Sequence, residues 1–337
     1  MKKIIIAILV LIPFYANSQK LIANRDSVQG SYNFWVYVPE CYDSVSGTTP
    51  TVLFLHGRSL CGRNLSMVRK YGPLDALLMG RKINAVIVAP QNPGDAWKPE
   101  KIMKVIDWTT EKYHTDTNRL YVLGMSLGGY GTIDFAGTYP DKVAAAMALC
   151  GGGTLKNYCG LNEVPLWIMH GTADKAVGVS QSQAVVDKMI ACGDTSRLIF
   201  DRLSGVNHSR LARMFYLPDT YEWLFSHSLT DSARQVNRNV PIDNATMELA
   251  YKNLDKSSTH FKVIDPNPQA YSYVPDDPNA SYYVIKKGDT LSHVARMYHT
   301  TVAKLCQINH LSETSILQIG QKIYLKYFTI DDFRLTI

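Results

Sequence analysis

The sequence predicts an α/β protein: a mostly parallel sheet with helices on both faces, followed by a small βααβ module near its end. Three observations carry the prediction. Short continuous apolar runs at residues 51–55, 83–89, 143–149 and 165–169 alternate with helical segments, as strands of a parallel sheet buried on both faces do. The run from Arg119 through Leu123 passes into Gly124-Met125-Ser126-Leu127-Gly128-Gly129-Tyr130-Gly131 and turns helical to about residue 139, a strand-to-helix turn built around one serine. Residues 282–325 read strand, helix, helix, strand after a stretch rich in Pro, Asp, Asn and Ser.

The chain has 337 residues, 46% hydrophobic and 19% charged, with a formal net charge of +6. That leaves room for two globular units. No long Lys/Arg block interleaves with aromatics, so nucleic acid is not an expected partner. Residues 1–18 read as a secretory signal peptide. Lys2 and Lys3 precede an apolar run at 4–12, and Ala16-Asn17-Ser18 offers a cleavage site before Gln19. The run is too short to span a bilayer. The expectation is an exported protein, periplasmic or extracellular and associated with the cell envelope, with no transmembrane segment after cleavage. Export makes Cys41, Cys61, Cys150, Cys159, Cys192 and Cys306 disulfide candidates. Cys150 and Cys159 enclose a glycine-rich loop and are nearest in sequence; free buried thiols are the alternative. No C-x-x-C pair and no Cys/His group at metal spacing occurs, so no metal is expected.

Residues 19–227 make the first unit. Residues 32–39 alternate aromatic and polar side chains, an early antiparallel strand. The strand at 51–55 ends in His56-Gly57, and that at 83–89 in Pro90-Gln91-Asn92. A helix over about 100–114 puts Ile102, Val105, Ile106 and Thr109 on one face. After the serine turn and its helix come the strands at 143–149 and 165–169, then a helix over 180–191 and a strand at 197–203.

In such sheets ligands bind outside the carboxyl ends of the strands, and this rule sorts the polar residues. Ser126 stands at one strand's carboxyl end, Asp174 follows the strand at 165–169, and His208 follows that at 197–203. All three converge on one rim in the chain order Ser, Asp, His. A serine hydroxyl is nearly inert at neutral pH, so an imidazole must take its proton and a carboxylate must hold that imidazole in the right tautomer. Gly124 and Gly128 leave room for the sharp turn. The helix after Ser126 points its N-terminus at the spot where negative charge develops. Two donors for that charge are expected: the N–H of Leu127 and one from the loop at 56–62, placed at Arg58 with Ser59 as the alternative. His170 reads as packing beside Trp167, and Asp134 and Asp141 as pointing elsewhere.

Leu55-His56-Gly57, the Gly124–Tyr130 stretch, His170-Gly171-Thr172-Ala173-Asp174 and Asn207-His208 together resemble the α/β-hydrolase superfamily. Within it the chain is similar to compact esterases of the feruloyl esterase, polyhydroxybutyrate depolymerase and phospholipase/carboxylesterase kind. The likeness runs from about residue 33 to 225 and implies serine carboxylester hydrolysis without a cofactor, with Ser126, Asp174 and His208 catalytic and Leu127 and Arg58 holding the oxyanion. Asn207 departs from it, since glycine is frequent before the histidine in that family. No insertion resembles a large lid, so long-chain lipase activity is disfavoured.

From 228 to 281 the texture is that of a linker with little capacity to build a core, with a short helix near 244–254. Residues 282–326 are ordered again. Leu291, Val294, Ala295 and Tyr298 share one helical face, Thr301 caps a second helix, and residues 320–325 close with a strand. With Gly288-Asp289-Thr290-Leu291, Asn309 and Gly320-Gln321-Lys322-Ile323, this pattern resembles a LysM module. The resemblance implies binding of N-acetylglucosamine-containing glycans such as peptidoglycan, in a groove between Gly288, Asp289, Thr290 and Leu291 on one side and Leu317, Gln318 and Ile319 on the other. Residues 327–337 are a tail. The expectation is therefore an exported serine esterase acting on small or carbohydrate esters and tethered to a glycan. A peptidase or amidase on the same fold, and a wall-binding protein without activity, are the alternatives.

Overall fold

The computed structural model describes residues 19–43, 45–238, 242–255, 261–266, 281–286, 288–298, 300–312 and 315–325. The expected signal peptide, residues 267–280 of the expected linker and the expected tail lie outside the described residues.

The chain opens with β1 (Lys20–Asn24) and β2 (Phe34–Val38), continues through β3 (Thr51–Leu55), α1 (Pro73–Leu78) and β4 (Val86–Pro90), and then alternates. The alternating elements are α2 (Pro99–Tyr113), β5 (Leu120–Met125), α3 (Leu127–Thr138), β6 (Ala145–Leu149), β7 (Leu166–Gly171), α4 (Ser180–Ala191) and β8 (Leu198–Leu203), followed by α5 (Pro218–Phe225). Strands β3 to β8 are mutually parallel, and β2 is antiparallel to both of its neighbours, β1 and β4. Every residue of β3, β4, β5, β6 and β7 is buried, which is why they appear in the sequence as unbroken apolar runs rather than alternations.

The sheet order is β8-β7-β6-β5-β3-β4-β2-β1, with a ninth strand, Lys262–Ile264, beyond β1. From β5 the chain steps outward through β6, β7 and β8 on one side, while β3 and β4 lie on the other. The carboxyl end of β5 is therefore at the switch point of the winding, where open α/β sheets leave a crevice. One face of the sheet packs on α2, α3 and α4 through residues such as Ile102, Val105, Ile133, Phe135 and Val185. The other packs on Leu74, Leu77, Leu211, Phe215 and Leu224. Burying a side chain such as Phe54, Phe135 or Trp167, all under 2% exposed, contributes on the order of 2–3 kcal/mol.

Two expectations are corrected. The disulfide joins Cys159 to Cys192, not Cys150 to Cys159. Cys159 begins a short 3-10 turn that packs on α4, and Cys192 caps the C-terminus of that helix, whereas Cys150 is a buried free thiol just past the end of β6. Nearness in sequence did not decide the pairing; nearness of two elements did. The stretch from 228 onward is also no mere linker where it is described. Ile242, Met247 and Ala250, around α6 (Asn244–Glu248), are buried in the same core as Phe215. Strand β9 (Lys262–Ile264) extends the sheet parallel to β1. Asp265 then accepts both guanidinium N–H groups of Arg25 at 2.9 Å. A few apolar residues suffice there because the surface they cover supplies the rest of the core.

The C-terminal module has its own small core. Strands β10 (Tyr282–Val284) and β11 (Lys322–Tyr324) pair antiparallel, with α7 (Leu291–Met297) and α8 (Val302–Asn309) between them. Tyr283, Ile285, Leu291, Val294, Leu305 and Ile323 fill the interior. Thr290 and Thr301 cap the two helices, accepting from the N–H groups of His293 and Lys304, the role their hydroxyls suit. No helix of the described residues is long and apolar enough to cross a membrane.

Candidate active site

The turn between β5 and α3 puts Ser126 at φ +60° and ψ −121°. A non-glycine residue held there costs on the order of 1–3 kcal/mol, and the surroundings hold it firmly. The Ser126 N–H donates to the Leu149 carbonyl at 2.9 Å, and its own carbonyl accepts from the Tyr130 N–H at 3.0 Å. The flanking glycines are required by contact: a Cβ on Gly124 would lie 2.3 Å from the Gly128 carbonyl oxygen, and one on Gly128 only 1.7 Å from that of Leu55. The helix must sit this close for the serine hydroxyl to stand clear of the sheet.

Asp174 and His208 come together from the loops after β7 and β8. The His208 Nδ1 lies 2.6 Å from the Asp174 carboxylate. An ionised carboxylate only accepts, so Nδ1 carries the proton and Nε2 is left as the basic nitrogen. The Asp174 side chain is fully buried while that of His208 is 26% exposed, so the pair opens to solvent on the histidine side. Burial by itself would raise the Asp174 carboxyl. The Val177 N–H, the His208 ring and the Ala176 N–H outweigh it, and the group lies below the usual carboxylate range. The aspartate thus stays ionised at neutral pH. Asn207, in the place of a glycine, accepts from the Arg210 N–H at 3.0 Å and so starts the 3-10 segment (Ser209–Tyr216) that carries the chain back onto the core.

Ser126 and His208 line the same cavity, of about 610 Å³, with Gly57, Arg58, Leu127 and Tyr130. Among the described residues no hydrogen bond joins the Ser126 hydroxyl to the His208 ring, as is common in sites without substrate, where such bonds tighten only on binding. Arg58 is the first residue of a 3-10 turn (Arg58–Leu60) and Leu127 the first of α3. Neither N–H has an acceptor within its own helix, and both residues border the cavity beside Ser126. Ser59 lies there too.

Other side chains have roles that sequence reasoning missed. His56 is fully buried; its Nδ1 is 2.8 Å from the Gly57 carbonyl, and its Nε2 accepts from the Asn92 N–H at 3.0 Å. It pins the β3 loop to the β4 loop, and burial lowers its ring to about 4, so it is neutral. The Tyr71 hydroxyl reaches the cavity, accepts from the Gly57 N–H at 2.6 Å, and is pushed up to about 12 by burial. It sits in an irregular loop, where no periodicity could have marked it. His170 does pack, but its Nε2 also donates to the Val177 carbonyl at 2.9 Å and lies 3.5 Å from Asp174, while its Nδ1 is 2.7 Å from the Ser182 hydroxyl. The four-residue spacing of His170 and Asp174 was the available signal. Asp134 indeed faces away, accepting from the Thr154 N–H and hydroxyl. Local spacing showed no metal pattern, yet the fold gathers Cys150, Asp174 and His208, with one ligand atom of each within 4.8 Å of the others.

In the C-terminal module a second cavity, of about 480 Å³, is bordered by Asp289, Thr290, Leu291, Ser315 and Leu317. Gly288, at φ +89°, makes the turn beside it. The Asp289 carboxylate faces inward, accepting from the Lys286 N–H and the Tyr283 hydroxyl, both at 2.7 Å. Gln318 and Ile319 do not border this cavity; Ile319 is 70% exposed, on the same loop as the exposed Ile316.

Two stretches of the chain match known protein families. Residues 283–326 match the LysM domain, and residues 95–163 match the prolyl oligopeptidase family. A probable acetylxylan esterase A of Aspergillus clavatus is 23% identical over 248 residues, which cover 68% of this chain and 78% of that protein. Feruloyl esterase B of Talaromyces stipitatus is 24% identical over 41% of this chain and 40% of that protein. The crystal structure of a thermostable esterase superposes with a TM-score of 0.53 at 22% identity, over 63% of this chain and 64% of that one. The fold and its crevice are those of an α/β-hydrolase, the sequence relatives are esterases, and a LysM domain follows on the C-terminal side.

Proposed function

We propose that this protein is an exported serine carboxylesterase that removes acyl groups from carbohydrate or other small esters, held near its substrate by the LysM domain. The observation that carries the reading is the buried Asp174 bonded to His208 at 2.6 Å, opening on the cavity that also holds the strained Ser126. In this reading His208 Nε2 takes the Ser126 proton as the oxygen attacks the ester carbonyl. The N–H groups of Leu127 and Arg58 bind the oxyanion, and the imidazolium returns the proton to the leaving alcohol. Water then repeats the sequence on the acyl-enzyme. Asp174 holds the ring and offsets its charge. A cavity of this size, walled by Met125, Leu127, Ala176, Val177 and Ala212, suits a short or aromatic acyl group.

The LysM groove would take N-acetylglucosamine units of a glycan such as peptidoglycan, with Thr290, Leu291 and Leu317 at its walls and Ile316 and Ile319 as an apolar platform beside it. The signal-like residues 1–18 and the Cys159–Cys192 disulfide favour an oxidising compartment outside the cytoplasm, periplasmic or extracellular. The match of residues 95–163 to the prolyl oligopeptidase family favours a second reading, cleavage of an amide on the same machinery.

A fluorophosphonate probe should label the protein and fail to label Ser126→Ala; labelling of that variant at the parental rate would reject Ser126 as nucleophile. Matched p-nitrophenyl acetate, feruloyl ester and p-nitroanilide substrates separate esterase from amidase. Sedimentation with purified peptidoglycan or chitin, with and without residues 282–326, tests the groove.

A further inference from the structure

Cys150, Asp174 and His208 stand just past the ends of β6, β7 and β8, three strands that are consecutive neighbours in the sheet. Their thiol sulfur, carboxylate oxygen and ring nitrogen lie within 4.8 Å of one another. Acyl transfer uses the last two and has no use for the first. Yet thiolate, carboxylate and imidazole together are the donor types that zinc takes. Bonds of about 2.0–2.3 Å in a tetrahedron span ligand atoms roughly 3.5 Å apart, so these side chains need contract only by about 1 Å around an ion. Cys150 and the Asp174 side chain are buried and held by the sheet. His208 borders the cavity, which gives an ion its route in and leaves the fourth position to water.

We propose that a thiophilic divalent cation, zinc or cadmium, binds Cys150, Asp174 and His208 and reversibly shuts off the catalytic centre. On binding, the Cys150 S–H proton and the His208 Nδ1 proton pass to solvent, and the ion takes the place of the hydrogen bond between His208 and Asp174. The imidazole then faces the metal and no longer serves Ser126. The inhibitory half of this inference rests on the reading of His208 as the base; the coordination itself does not.

The test uses the whole chain with its disulfide intact; the other free thiols are Cys41, Cys61 and Cys306. Cobalt(II) added to the parent should give the intense visible bands of a tetrahedral site and a near-ultraviolet thiolate charge-transfer band. Both should vanish in His208→Gln, and the thiolate band in Cys150→Ser, while Cys61→Ser keeps both. Zinc or cadmium should inhibit p-nitrophenyl acetate hydrolysis, chelator should restore it, and Cys150→Ser should raise the inhibitory concentration by at least about tenfold. A cobalt spectrum without thiolate character in the parent, or equal inhibition of parent and Cys150→Ser, overturns the site. If Cys150→Ser fails to fold, the cobalt comparison of parent, His208→Gln and Cys61→Ser still decides. If the protein proves not to be an esterase, the same spectra still report the site, so the two failures are distinguishable.

Discussion

Asp174 shows how much one side chain can be asked to do. Its carboxylate is buried without a formal cation beside it, and stays ionised because N–H groups of its own loop and the His208 ring surround it. Asp174→Asn keeps the shape but presents an amide to His208 and stabilises the wrong tautomer. We expect kcat to fall by about 10³–10⁴-fold with little change in KM, in steady-state hydrolysis of a chromogenic ester by a variant whose melting curve is unaltered. His56 supplies a stability prediction of definite sign. In the unfolded chain its imidazole protonates near the ordinary value of 6.5, but in the fold burial lowers it to about 4. Between those values the unfolded state binds the additional proton, so stability is present above 6.5 and is lost as pH falls toward 4. The loss is on the order of 3 kcal/mol. Urea titrations near neutrality and near pH 4.5 should show it, and His56→Asn, weaker at neutral pH, should show a flatter pH dependence. Ser126, Asp174 and His208 could be singled out from the sequence because each follows a strand of the expected sheet. Tyr71 and Cys150 could not, since one lies in an irregular loop and the other resembles any small buried residue.

The junction of β5 and α3 is the most constrained element, because helix and strand meet with no space for a side chain. Gly128→Ala would drive a methyl group into the Leu55 carbonyl, and neither backbone can yield without moving the sheet. A loss of about 3 kcal/mol or more follows, read as a lowered urea midpoint, together with lost turnover as Ser126 shifts. Elements of this kind are legible because their residues are buried on every side, so chemistry and pattern agree. Strand β4 begins at Val86 rather than residue 83 and β6 at Ala145 rather than 143. Apolar content marks burial, whereas the ladder of hydrogen bonds marks the strand, and the two need not start together. The exposed β9 has no apolar run to announce it, and its central residue, Val263, is 44% accessible. It exists because β1 offered an open edge.

Across the whole molecule the catalytic unit extends beyond α5. Removing everything after residue 227 would uncover the surface that Ile242, Met247 and Ala250 bury and break the Arg25–Asp265 pair. Ending the chain at 281 keeps both. We expect the 227 truncation to melt well below the parent or to aggregate, and the 281 truncation to retain small-ester turnover while losing retention on glycan; differential scanning fluorimetry and a sedimentation assay check the two halves. Reduction of the Cys159–Cys192 bond, whose ends are 33 residues apart, should cost about 4 kcal/mol in the chain-entropy picture.

Periodicity and burial are local properties, so the chain's own order of apolar runs, glycines and caps was enough to reveal the parallel sheet, the serine turn, the three polar residues on its rim and the βααβ module. Pairings between distant segments are not local. That Cys159 meets Cys192, that β9 joins β1, and that Cys150 faces Asp174 and His208 follow from which strand ends and helix ends become neighbours once the sheet is wound, and no spacing along the chain encodes that.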